Sequence, residues 1–195
     1  MQIILASTSK TRQALLQNAG MAFSVMAPGV DEARMKDSMR DATPKSVAEK
    51  LAHEKAKYVS LANQGVLVIG ADQTLGLGDE IFDKPNTLQE AEKQLEKLRG
   101  KKHVLYSAVN CAVDGKSVWS HCGEANLYMR DFSDAYLKTY LEKIANTYSH
   151  SVGGYQLEAV GINLFERVDG DYFTILGLPL LPLLAFLRHS GIIDT

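Results

Sequence analysis

The sequence predicts an α/β protein with a mixed, twisted sheet and flanking helices. Three observations carry that reading. Apolar runs of strand length, at 2–6 and 66–77, alternate with stretches of helical period. The dipeptides Gly78-Asp79 and Asp114-Gly115 are two-residue turn signals that fold later strands back as hairpins, so the sheet is not purely parallel. The length of 195 residues suits one domain, or two lobes around one cleft, with a sizeable core. No repeat, low-complexity tract or linker interrupts the chain, so 1–195 is read as a single domain.

Taken in order, 2–6 reads as a buried strand and 10–19 as a short helix with Leu15, Leu16 and Ala19 facing inward. Residues 23–27 form a strand leading into a loop over 28–41. Thr43 then caps a long helix that has Pro44 at its first position and runs to about Ala62. The strongest strand signal is 66–77, turned back toward Ile81 and Phe82. An amphipathic helix over 88–98 is stopped by Gly100. Strands over 103–113 and 117–129 precede a helix over 133–144. A Gly-rich segment from Ser151, strands over 162–168 and 172–175, and a helix entered at Pro179 complete the chain.

A net charge of -2 and a pI near 6.2 argue against broad binding to nucleic acid, while leaving room for a local basic cluster around a small polyanion. The apolar start at 1–6 is too short for a signal peptide. The apolar run 176–187 contains Pro179 and Pro182 and is too short to span a bilayer. The expectation is a cytoplasmic protein that engages no membrane. The hairpin register sets Cys111 opposite Val118 and Cys122 opposite Ser107, which predicts two reduced thiols and no zinc site.

Five features break the local pattern, and such breaks are where function tends to sit. Ser7, Thr8, Ser9, Lys10, Thr11 and Arg12 lie between the first strand and the first helix, where free backbone N–H groups favour anions. Arg12 shares a helical face with Leu15, Leu16 and Ala19, so its guanidinium points inward; an ordinary Ser cap with a snorkelling Arg is the alternative. Lys55 falls within the apolar arc of Val47, Ala48, Leu51, Tyr58, Val59 and Ala62, where a lysine needs an anionic partner or a wet cleft. Asp72 interrupts an apolar strand, which is costly unless it is paired, metal-bound or exposed at a strand end. Folding about Gly78-Asp79 brings Lys84 beside Gln73 and close to Asp72, so an Asp–Lys ion pair is also open. Asp31 and Glu32 place paired carboxylates on a loop, as hard metals prefer. The run from Ser151 to Glu158 sets a Gly-rich turn near Tyr155 and a carboxylate, where backbone could bond a ligand or simply turn.

Together these residues supply the inventory for phosphoryl-type substitution. Hydroxyls, one arginine and two lysines would clamp a polyphosphate, while two carboxylates would hold Mg²⁺ and activate water. The five histidines show no ligand pattern, and no Walker A loop, nucleophile elbow or Cys/His dyad is present.

The same segments, in the same order, resemble the Maf family of nucleotide pyrophosphatases. They are Ser7-Thr8-Ser9 with Arg12, Val30-Asp31-Glu32, His53-Glu54-Lys55-Ala56, Gly70-Ala71-Asp72, Lys84-Pro85, Ser151 to Glu158, and Gly170-Asp171-Tyr172 through Gly177-Leu178-Pro179. The resemblance implies two lobes around a deep cleft, a fold shared with the inosine triphosphate pyrophosphatases. It implies hydrolysis of a nucleoside triphosphate to the monophosphate and pyrophosphate, a divalent cation (Mg²⁺ or Mn²⁺), and often a homodimer. By matching motif, Asp72 becomes the general base, and Glu32 a metal or water ligand alongside it. Ser7, Ser9, Arg12, Lys55 and Lys84 become the triphosphate clamp. Gln73 and Glu158 match the branch acting on 7-methyl-GTP, with Tyr155 stacking on the base.

Departures from the family pattern fall at Lys10-Thr11, at Ser107-Ala108-Val109 and at Ala159. Thr11 stands where that branch carries a large aromatic, which widens the expected pocket toward CTP or UTP. Relatives are tied to arrest of cell division and to clearing modified nucleotides. A rival reading is a nucleotide-binding regulator of septum formation with incidental hydrolysis; its sign would be a damaged clamp or a missing base, and neither is seen.

Overall fold

The computed structural model describes residues 1–194. The chain begins β1 (Ile3–Ala6), α1 (Lys10–Asn18), β2 (Ser24–Val25), α2 (Glu32–Asp37), α3 (Pro44–Ala62), β3 (Leu67–Leu77) and β4 (Glu80–Phe82). It continues α4 (Leu88–Leu98), β5 (Lys102–Val113), β6 (Lys116–Met129), α5 (Asp134–Ile144), β7 (Phe165–Asp169), α6 (Tyr172–Ile175) and α7 (Leu180–His189). The strands form one seven-stranded sheet in the order β2-β1-β3-β5-β6-β7, with β4 also paired to β3. β1 is parallel to both β2 and β3, whereas β3–β4 and β6–β7 are antiparallel, so the sheet is mixed as the turn signals require.

Two compact units divide the chain. The first comprises 1–73, 106–123 and 171 onward, and the second comprises 74–105 and 124–170.

In the first unit the period of two along each strand sorts side chains between two helical layers. Ile3, Leu5, Leu67, Ile69, Ala71, Val109 and Cys111 point to one face, where they pack with Leu15 and Leu16 of α1 and Leu180, Leu183 and Leu187 of α7. Ile4, Ala6 and Val68 point to the other, against Val59 of α3. Ala48 and Ala52 of α3 pack with Ala108. Gly70 lets α3 lie directly on β3: a Cβ there would stand 2.4 Å from the Ala52 carbonyl oxygen and 2.5 Å from the Ala56 nitrogen. By the same alternation Asp72 follows Val68 and Gly70 onto the α3 face, and Gln73 follows Ala71 onto the opposite one.

In the second unit α4 and α5 supply Ala91, Leu95, Leu98, Leu137, Tyr140 and Ile144 to a buried core. His103 is buried there as well, its Nε2 2.7 Å from the Tyr155 hydroxyl.

Several sequence expectations need correction. The loop over 28–41 contains α2, capped by Asp31, whose Oδ1 accepts from the Arg34 N–H at 3.0 Å. The stretch 172–175 is a helical turn rather than a strand. Its β-branched and aromatic residues suggested a strand, but Asp171 Oδ2 accepts from the Thr174 N–H at 2.7 Å and from its hydroxyl at 2.9 Å. The strand placed at 162–168 begins late: Val160–Leu164 is 3-10 and β7 starts at Phe165. Tyr58 and Ala62 lie outside the buried arc of α3, which instead takes in Ala52 and Ala56.

Candidate active site

Alternation along β3 and helical period along α3 meet at one point. Lys55 lies on the buried face of α3 and Asp72 on the face of β3 that α3 covers. The Lys55 Nζ donates to Asp72 Oδ1 at 2.6 Å, and both residues are buried. The same Nζ lies 2.8 Å from Oε1 of Glu32, the first residue of α2. One ammonium therefore holds two carboxylates brought from separate elements. Two competing forces act on Asp72. Burial pushes its carboxyl above the ordinary range, while Lys55 and Arg12 pull it down.

Arg12 approaches from the other side of the strand. β1 stops pairing with β3 at Ala6 and Gly70, and one residue further the Ala71 carbonyl accepts from Arg12 Nη1 at 3.0 Å. Nε donates to the Gly177 carbonyl at 2.7 Å, and Nη1 also reaches Ser7 Oγ at 3.4 Å. These bonds fix the plane of the guanidinium and leave Nη2 outside them. Gly177 has φ of 96°, in the left-handed region, and a Cβ there would stand 3.5 Å from Arg12 Nη2. Burial lowers the pKa of Arg12, with Asp72 and Glu32 opposing.

The turn from β1 to α1 completes this group. Ser9 caps α1, its Oγ accepting from the Arg12 N–H at 3.4 Å, and Ser7 Oγ accepts from the Ser9 N–H at 3.2 Å. Thr11 is half-buried in the first turn of α1. The helix start, whose first-turn N–H groups favour anions, thus stands at the carboxyl end of β1. Ligands of parallel α/β sheets bind in this position.

The structure places Ser7, Ser9, Thr11, Arg12, Glu32, Lys55, Asp72 and Gln73 in the first unit, and Lys84, Tyr155 and Glu158 in the second. Lys55, Glu32 and Asp72 are brought into contact, with Arg12 near enough to act on both carboxylates. Of the two lysines that the sequence set against Asp72, Lys55 pairs with it directly from α3. The β3–β4 ladder does keep the expected register, Leu77 opposite Glu80 and Leu75 opposite Phe82, and ends there.

Gln73 has a structural occupation that the sequence did not reveal. Its Nε2 donates to the carbonyls of Ile175 at 2.9 Å and Thr174 at 3.2 Å, and to Ser107 Oγ at 2.9 Å. Ser107 in turn donates to the Thr174 carbonyl at 2.6 Å. The missed participants are thus Ser107, the α6 carbonyls and Gly177. The capping pattern of Asp171 and Thr174 was the signal that could have found α6.

In the second unit Glu158 and Lys84 are exposed. Tyr155 is 4% exposed, its hydroxyl meets His103 and its ring packs edge-on against Phe165. It therefore has no open face on which to stack a base, which corrects the role expected for it.

The sequence profile described as Maf-like protein matches residues 2–190. A 7-methyl-GTP pyrophosphatase of Brucella suis biovar 1 (strain 1330) is 50% identical over 99% of this chain and 98% of its own. A nucleoside triphosphate pyrophosphatase of Caulobacter vibrioides is 49% identical, over 97% of this chain and 96% of its own. Among solved structures, a HAM1 protein from Coxiella burnetii covers 68% of this chain and 74% of its own at 14% identity. Its TM-score of 0.47 is too low for any conclusion to rest on it. The profile match and the full-length relatives agree with the order of motifs along the sequence, and the chain belongs to the Maf-like family.

Proposed function

We propose that this chain is a nucleoside triphosphate pyrophosphatase, hydrolysing its substrate to the nucleoside monophosphate and pyrophosphate. The observation that carries the chemistry is the meeting of Lys55, Glu32, Asp72 and Arg12 beside the start of α1. Arg12 Nη2, Lys55 and the first-turn N–H groups of α1 bind phosphate oxygens. Asp72, its carboxyl raised by burial, takes the proton of the attacking water as the P–O–P bond breaks and pyrophosphate leaves.

The donor set also fits a divalent cation. Glu32 and Asp72 present hard oxygens converging on one point, and Mg²⁺ is commonly held by one or two carboxylates together with substrate phosphates. These two residues would hold Mg²⁺ or Mn²⁺. Bound there, the ion would neutralise charge on the polyphosphate.

Glu158 supports a guanine-type base. A carboxylate only accepts hydrogen bonds, and guanine offers adjacent donors at N1 and N2, whereas uracil and thymine offer one donor between two carbonyls. The relative from Brucella suis, named for 7-methyl-GTP, supports the same preference.

The test is a panel of nucleoside triphosphates with separate detection of pyrophosphate and orthophosphate. Pyrophosphate in equal amount to the monophosphate is expected. Release of orthophosphate with a diphosphate product would refute the reading.

A further inference from the structure

The two residues proposed to hold the metal already share a cation. Lys55 Nζ stands 2.8 Å from Glu32 Oε1 and 2.6 Å from Asp72 Oδ1, with 6% of the lysine side chain exposed. Mg²⁺–oxygen distances are about 2.1 Å, so the carboxylates would need to close by only about 0.6 Å to grip an ion in place of the ammonium. Glu32 can make that movement readily. It is the first residue of α2, a six-residue helix with no buried residue.

Charge decides when the exchange happens. Arg12 and Lys55 balance Glu32 and Asp72, so the four groups sum to zero. A divalent ion entering alone would compete with Lys55 and leave an excess of two positive charges in a partly buried site, which is unfavourable. A triphosphate carries about four negative charges at neutral pH, enough to draw the ammonium away and accept the ion with it.

We propose that Lys55 is a stand-in cation. In the nucleotide-free protein its Nζ occupies the position between Glu32 and Asp72, and it yields that position to the divalent ion only when a polyphosphate arrives to take the ammonium. This rests on the reading of Glu32 and Asp72 as metal ligands. It adds an order to the reaction: the ion is admitted with the nucleotide, and the resting protein is kept free of it. Lys55 thereby acts first as a positioning residue that holds the two carboxylates together.

The test is Mn²⁺ binding followed by electron paramagnetic resonance, without nucleotide, on the wild-type chain and on Lys55→Met and Lys55→Ala. Each variant is checked for native circular dichroism. Both variants should bind Mn²⁺ at least ~10-fold more tightly than wild type, the lower end for removing a charge-assisted bond. The gain should vanish when Glu32→Gln is added. Equal affinity in wild type and variants overturns the stand-in role while leaving the metal site standing. No Mn²⁺ binding by any chain, even with a non-hydrolysable triphosphate analogue, overturns the metal site and the proposal with it.

A second measurement needs no variant. The ammonium ¹⁵N resonance of Lys55 should persist in millimolar Mg²⁺ and shift only when Mg²⁺ and the analogue are present together. A resonance moved by Mg²⁺ alone, or unmoved by both, overturns the proposal.

Discussion

Arg12 ties its Nε to the carbonyl of Gly177 at 2.7 Å, joining the first helix of the chain to the turn that precedes α7. With the bond from Nη1 to the Ala71 carbonyl, the guanidinium spans two backbone acceptors at a fixed angle. A planar fork can do this and a lysine cannot. Arg12→Lys is therefore expected to leave one carbonyl unpaired and to lower stability by about 1–3 kcal/mol. Substrate KM should rise in the same variant. Urea unfolding with unchanged stability would show that these bonds contribute nothing.

Asp72→Asn keeps an acceptor for Lys55 but removes the carboxylate proposed to accept the proton. Turnover should fall by at least ~10²-fold while nucleotide binding survives. The pH profile provides a second readout. Because burial raises the Asp72 carboxyl, the acid limb of kcat/KM should lie above the ordinary aspartate value of about 3.9. Activity is present above that limb and is lost as pH falls through it. An Asn variant that retains both rate and limb would remove Asp72 from the role of base.

His103 makes a pH prediction of a different kind. Burial lowers its pKa from 6.5 to about 4. Above pH 6.5 it is neutral in both folded and unfolded chains and contributes nothing to pH dependence. Below that the unfolded chain takes up a proton that the folded one refuses, so stability is lost as pH falls toward 4. Between pH 7 and pH 5 the loss is on the order of 2 kcal/mol. His103→Gln should flatten that part of the stability curve. Parallel curves for the two proteins would contradict it.

Glu158→Gln supplies a side-chain N–H where the parent has only acceptors. Relative kcat/KM should move toward UTP or dTTP at the expense of 7-methyl-GTP, by about 10-fold or more if the carboxylate reads guanine donors. A parent that already prefers dTTP would show that Glu158 does not read the base.

The parts of the site that obey a strict period were legible in the sequence. Lys55 and Asp72 each stood out as a charge on an apolar face, one at helical and one at strand spacing, and those two faces proved to be in contact. What the sequence could not show was which cation meets which carboxylate. The contact of Lys55 with Asp72 depends on how closely α3 lies on β3, a distance set by backbone. α6 was missed because Tyr-Phe-Thr-Ile favours strands locally, and a single cap from Asp171 outweighs that preference. Tyr155 looked free because a Gly-rich turn suggests exposure, but its hydroxyl has a buried partner in His103, far away in sequence.

Gly70 has no side chain, yet it governs the spacing of the elements that carry Lys55 and Asp72. A methyl group there would sit 2.4 Å from the Ala52 oxygen, where ordinary contact needs about 3.4 Å, so α3 would be wedged away by about 1 Å. Lys55 rides on that helix, and a displacement of this size is enough to cost ~10²-fold in rate where reacting groups must be aligned. A mutational scan should therefore find a loss of activity at residue 70 comparable to that at Asp72, in a protein that retains every acid, base and cation of the site. The tolerance of the machinery is machined into the bare backbone beneath it.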